Sequence, residues 1–231
     1  MKNLIRLELK KNNIKPYLLG VLGITIVMFG FLYLFAGVED EELSTYADVT
    51  MLVSSLSMAS YCVLGAVMFA RFAVEEYKGK RAILLFSYPI SRSKVLLAKV
   101  ALVASFVFVF SLLTNLIVLG FFNVSERFAP LIHEGELSRM MSDAMPLTVV
   151  NGFLAIAVSL IALAVGLWKE SVPVTIITAV IICSIFSSVF TQAIMHSLAN
   201  VGSMIAVAAM ILAVALCVFG LAVKKVNTME V

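Results

Sequence analysis

Val100–Phe122 reads VALVASFVFVFSLLTNLIVLGFF and carries no charged residue. An α-helix rises about 1.5 Å per residue, so a run of this length matches the roughly 30 Å hydrocarbon core of a bilayer. Helix is the required conformation, because lipid offers the backbone no hydrogen-bond partner. Working outward, five further segments pass the same test: Tyr17–Val38, Met51–Ala73, Leu147–Trp168, Val172–Gln192 and Ser203–Val223. The composition agrees. Hydrophobic residues make up 62% of the 231, charged residues 13%, and the mean hydropathy is +1.07. Such a chain would expose large apolar patches in water. The first run exceeds the 7–15 residues of a typical signal-peptide core, so it is expected to stay as a helix. The expected fold is an all-α membrane protein forming one transmembrane domain over 1–231, with spans at 17–38, 51–73, 100–122, 147–168, 172–192 and 203–223.

Lysine and arginine set the expected orientation. With the N-terminus inside, every basic residue except Arg127 and Arg139 falls on the inner side, while Glu39, Asp40, Glu41, Glu42 and Asp48 fall outside. Both ends are therefore expected in the cytoplasm.

None of the six spans carries Asp, Glu, Lys or Arg in its interior. Ion-coupled carriers keep ionisable groups at mid-membrane, so this disfavours a secondary transporter, an ion pump or an intramembrane protease. Uncharged polar residues do occur there. Asn115, Asn151 and Gln192 either line a cargo path or make interhelical hydrogen bonds. Small residues four apart, as in Cys62-Ala66-Ala70, Ala162-Gly166 and Gly202-Ala206, let helices approach closely. The cysteines Cys62, Cys183 and Cys217 sit apart in apolar runs, without metal or disulfide spacing. A phosphate loop would need G-x-x-x-x-G-K-[ST]; Gly79-Lys80-Arg81 lacks both the upstream glycine and the hydroxyl. No catalytic residue, cofactor or metal site is expected in this chain, and nothing in it points to nucleic acid.

The loop over 75–94 is unusual. Glu75-Glu76-Tyr77-Lys78-Gly79 leads into a short apolar stretch containing Leu84, Leu85 and Phe86; Pro89 ends it and Ser91 is placed to cap the next helix, ahead of Arg92 and Lys99. An apolar helix on a polar loop must bury its face, either among lipid headgroups or in a groove on a soluble partner. Glu75, Glu76, Gly79, Leu84, Leu85, Ser87, Pro89, Ile90, Ser91, Arg92 and Lys99 together resemble the permease subunits of ABC type-2 exporters. The resemblance extends over nearly the whole chain; Lys80 departs from it, since many members carry threonine there.

That resemblance implies that 1–16 form an amphipathic helix on the inner membrane surface, although Leu4, Ile5, Leu7 and Leu9 alternate only loosely with Lys2, Arg6, Lys10 and Lys11. It implies that 75–94 hold a coupling helix, with Glu75, Glu76, Gly79, Leu84, Leu85, Phe86, Pro89, Ser91 and Arg92 meeting a separate ABC ATPase subunit. It implies two ATPase copies, which bind ATP and Mg, and a second permease chain, like or unlike. It also implies a short re-entrant element over Gln192–Gly202 and a bacterial plasma-membrane location.

On the outer side, Leu137, Met140, Met141, Ala144 and Met145 share one helical face. They predict an interfacial helix leading into the fourth span, or a gate at which Met140 and Met141 touch cargo. The implied function is ATP-driven export of a hydrophobic or amphipathic cargo, peptides first. The alternatives are an immunity or sensor protein that binds a toxin without pumping it, and an ATPase-independent carrier or channel.

Overall fold

The computed structural model describes residues 13–36, 45–76, 92–128, 137–197 and 201–228. These form six α-helices in succession: α1 (Lys15–Ala36), α2 (Tyr46–Phe69), α3 (Arg92–Phe128), α4 (Leu137–Lys169), α5 (Val172–Ser197) and α6 (Val201–Thr228). A π-helical turn, Ala70–Val74, continues α2. Four stretches are long and apolar enough to cross a membrane: Lys15–Phe35, Tyr46–Val74, Ser93–Phe128 and Met140–Lys169; α5 and α6 add shorter apolar stretches over Val172–Ser187 and Ala209–Lys224.

Each of the six expected spans coincides with one helix, except that residues 37–38 of the first lie outside the described residues, and the helices run beyond the apolar runs at one end or both. Thr45 shows why at the start of α2. Its backbone N–H and its hydroxyl both donate to the Asp48 carboxylate, the first at 3.1 Å, and this caps the helix five residues before the apolar run begins. The interfacial helix expected over 137–145 is not separate. It continues through Pro146 into one helix ending at Lys169. The re-entrant element expected from Gln192 is likewise helix as far as Ser197. Residues 1–12 of the interfacial helix expected over 1–16, and the core of the coupling loop, lie outside the described residues.

α4 is the centre of the bundle. Within its membrane window 78% of residues are buried, against 17% for α1. α4 packs on α2, α3, α5 and α6, while α1 leans on α2 and α3. Contacts fix the register. Gly65 of α2 lies against Ser159 of α4, and Val74 against Gly166, at nearly constant numbering difference; the two helices therefore run parallel. α3 runs antiparallel to α2: Val107 meets Gly65, Asn115 meets Ser57 and Glu126 meets Tyr46. A β-carbon on Gly65 would lie 3.1 Å from both Ser159 Cβ and Val107 Cγ2, so this glycine lets three helices converge. Of the small-residue stripes, Cys62-Ala66-Ala70 and Ala162 are wholly buried, whereas Ala206 faces outward. Leu19, Leu22, Ile26 and Leu34 of α1 are 62–74% exposed. The outside is thus as apolar as the core, as a lipid-facing surface must be.

Two of the cysteines meet. Cys62 of α2 donates to the Ala179 carbonyl of α5 at 3.8 Å, one helical turn before Cys183, and the two thiols are neighbours. A short membrane-permeant bifunctional thiol reagent should therefore link Cys62 to Cys183 and leave Cys217 out. Recovery of a Cys217-linked peptide by mass spectrometry instead would contradict the packing of α2 on α5.

Candidate functional site

The segment expected to carry function leaves α2 at its basic end, and the structure describes both of its stems. In the π-turn the Glu75 N–H donates to the Ala70 carbonyl at 2.9 Å, an i→i−5 bond that admits one extra residue per turn. Ala70, Phe72, Ala73 and Val74 are all buried, so apolar packing holds the widened turn in place. It also brings Glu76 to α3. Lys99 Nζ donates to Glu76 Oε2 at 2.6 Å and to the Phe72 carbonyl at 2.7 Å.

The burial of Lys99 is the unexpected feature. Its side chain is 1% exposed and that of Glu76 is 16% exposed. Removing an ammonium from water costs several kcal/mol even after relaxation, and only close, well-directed acceptors offset this. A carboxylate and a carbonyl, both within hydrogen-bond distance, satisfy two of its three donors. The lysine thereby ties the departing end of α2 to the foot of α3, one stem of the 75–94 loop to the other. By contrast Arg71 and Glu75, at 3.8 Å and far more exposed, form a surface pair of little energetic weight.

Of the expected coupling residues, Glu75, Glu76 and the backbone of Arg92 are described. α3 begins at Arg92, immediately after the serine expected to cap it. Gly79, Leu84, Leu85, Phe86, Pro89 and Ser91 lie outside the described residues.

The expected cargo-path residues divide. Asn115 donates to Ser57 Oγ at 2.7 Å and to the Ser111 carbonyl at 2.9 Å, while Tyr61 and Thr114 share a hydrogen bond of 2.6 Å. The Asn115–Ser57 and Tyr61–Thr114 bonds are interhelical and of the packing kind, while the Asn115–Ser111 bond lies within α3. The α2–α4 register sets the buried Asn151 opposite Ser57. The side-chain oxygens of Asn115, Asn151 and Ser54 have no hydrogen-bond partner among the described residues. A bond like Asn115–Ser57 contributes about 0.6 kcal/mol in a membrane. Asn115→Leu should therefore leave the folded yield and melting temperature in detergent nearly unchanged, and a collapse would mean that the asparagine organises much more than one contact. Met140, which the alternative reading sets at a gate, is 3% exposed in an apolar cluster with Met28, Leu32, Tyr46 and Phe122. Met141 is half-buried beside Gly120. Gln192 falls on α5, with its side chain outside the described residues.

At the other end of α3 the Tyr46 hydroxyl lies 3.4 Å from Glu126 Oε1, and Tyr33 donates to Ser125 Oγ at 2.7 Å. Glu126 is only 3% exposed. So α3 buries an ionisable group near each terminus, just beyond the span read from its hydropathy. A lysine or glutamate flanking an apolar run gives no sequence signal of such burial.

The ABC-2 family transporter protein model matches residues 4–187, most of the chain and all of the segment joining α2 to α3. The chain belongs to the ABC-2 transporter family. It is also 34% identical over 194 residues to the uncharacterized protein YcbO of Bacillus subtilis (strain 168), a match covering 80% of this chain and 83% of that one. Membership makes this ABC-2 chain a multi-pass membrane transport subunit rather than a catalytic one, and implies an ABC ATPase subunit as its partner. The resemblance seen around Glu75–Lys99 is thereby supported at the level of the family.

Proposed function

We propose that this ABC-2 chain is the membrane subunit of an ATP-driven exporter, with the Lys99 end of the bundle in the cytoplasm. Two copies of a separate ATPase bind ATP and close. The loop over 75–94 takes up that motion through Leu84, Leu85 and Phe86 seated in an apolar groove. Two permease chains, like or unlike, then shift against each other, and a hydrophobic or amphipathic cargo, first of all a peptide, passes outward in a bacterial plasma membrane.

The observation that carries this reading is the Lys99–Glu76 pair with its bond to the Phe72 carbonyl. A coupling loop transmits force only if its stems move as one body, and this link joins the stems. Export driven by a partner also fits spans that hold no ionisable group at mid-depth.

The test is co-purification followed by coupling. The wild-type chain, isolated in mild detergent, should bring an ATPase with it in near-stoichiometric amount. Leu84→Asp with Leu85→Asp would force charge into the apolar contact, and should abolish cargo-stimulated ATP hydrolysis while the chain still inserts. Cargo stimulation surviving the double substitution would place docking elsewhere. Isolation without any ATPase would favour a toxin-binding protein that does not pump.

A further inference from the structure

A cleft of about 690 Å³ opens at the basic end of the bundle between the start of α1 and the end of α2. Asn13, Pro16 and Tyr17 form one wall; Leu64, Val67, Arg71, Phe72, Glu75 and Glu76 form the other. The volume lies within the roughly 300–1,000 Å³ usual for small-ligand sites. Its polarity is graded. Leu64, Val67, Arg71 and Glu75 follow one another at three- and four-residue steps, so they share a face of α2 and its π-turn. From Leu64 to Glu75 is about 16 Å along the axis at about 1.5 Å per residue. The deep part is apolar and the rim carries both signs of charge.

We propose that this cleft holds a phospholipid whose headgroup bears both a phosphate and a primary ammonium, a phosphatidylethanolamine. Its acyl chains run down along Leu64 and Val67. Its phosphate sits by Arg71, whose side chain is 67% exposed and reaches the rim. The N-terminus of α1 begins at the same rim and adds the positive end of a helix dipole. The ammonium donates to Glu75, which lies 3.8 Å from Arg71, so the two charges of one headgroup meet the two charges of the protein side by side. Choline carries no N–H to donate, and a glycerol headgroup carries no positive charge; the site therefore distinguishes ethanolamine from both. The bound lipid extends the Tyr17–Phe72 ring contact, 5.3 Å between centroids, and fastens α1 to the turn from which the 75–94 loop departs. Nothing here depends on cargo or ATPase, and the site stands whether or not the chain exports.

The experiment is native mass spectrometry on the delipidated full-length chain, with dioleoyl phosphatidylethanolamine, phosphatidylglycerol or phosphatidylcholine added back, alongside thermal unfolding. The wild type should retain phosphatidylethanolamine at least tenfold better than the other two, with a matching rise in melting temperature. Arg71→Gln and Glu75→Gln should each erase that preference, while lipid-free melting stays close to the wild-type value because their mutual pair is long, 3.8 Å, and Arg71 is 67% exposed. Equal retention of the three lipids overturns the proposal, and so does a preference that survives both substitutions. Equal stabilisation by soluble phosphoethanolamine would also overturn it, since the occupant would then be a free zwitterion and not a membrane lipid.

Discussion

Glu76→Ala should destabilise the bundle by about 3–5 kcal/mol, and Lys99→Ala by less. The order follows from burial. Without Glu76, an ammonium that is 1% exposed loses its carboxylate partner, and the neutral Phe72 carbonyl does not replace that charge. Without Lys99, a carboxylate already 16% exposed can turn toward the cleft that it lines. The double variant Lys99→Met with Glu76→Gln removes both charges and fills the lysine's volume, and should recover most of the lost stability, because the penalty arises mainly from a charge left alone. Transport should not recover with it. If the pair couples the stems of the loop, a refolded but unpaired variant has a sound bundle with slack stems, and cargo-stimulated ATP hydrolysis should remain low. The measurements are melting temperature in detergent for the single and double variants, and ATPase stimulation for the double. Equal losses from the two single changes, or a double variant no more stable than either, would mean that the ion pair does not organise this junction. Full coupling in the double variant would show that its role is stability alone.

The contrast between hydropathy and burial explains what was legible in the sequence. Val100–Phe122 is apolar throughout, and lipid leaves such a run no choice but helix, so the helix count and order follow from composition and the backbone's need for partners. Helix ends follow other chemistry. α2 starts at Tyr46 because Thr45 and Asp48 bond to each other, and α4 starts at Leu137 because the amphipathic lead-in and the apolar run share one continuous backbone across Pro146. Proline early in a long helix removes one N–H donor and still leaves the chain helical when packing on both sides holds it. Burial of Lys99 and Glu126 was not legible for a related reason: α3 extends beyond its apolar run at both ends, and only the neighbouring helices decide which flanking charges become enclosed. The meeting of Cys62 with Cys183 was equally hidden, since it depends on which face α5 turns to α2. The importance of Glu76 and Lys99 could be read from their place in a motif, but that they bond to each other, and that the Phe72 carbonyl joins them, needed the π-turn that brings Glu76 to α3.

Gly166→Val should be the most damaging single change at the α4–α5 corner. A β-carbon there would collide with Thr175 Oγ1 and would stand 3.0 Å from Thr175 Cβ and 3.1 Å from Val74 Cγ2. Thr175 is wholly buried and bonds to the Ser171 carbonyl at 3.1 Å, so it cannot simply swing aside. The corner itself is tight: Glu170 adopts a φ of 50°, and the Ser171 N–H returns to the Gly166 carbonyl at 3.2 Å. Overpacking a rigid core costs about 1–3 kcal/mol per insertion; Gly166→Ala should fall in that range, and valine, with two further methyl groups, should reach or exceed its upper end. Because Val74 closes the π-turn, the strain reaches the Lys99–Glu76 junction as well as α5. Thr175→Ala removes the colliding hydroxyl, so Gly166→Ala combined with Thr175→Ala should be appreciably more stable than the sum of the two single effects, which neighbours in contact allow. Melting temperatures for the four members of this cycle decide the matter. Strict additivity would mean that α4 and α5 are not pressed together at this corner, and the parallel register of α2 and α4, which places Val74 against the same glycine, would lose one of its supports.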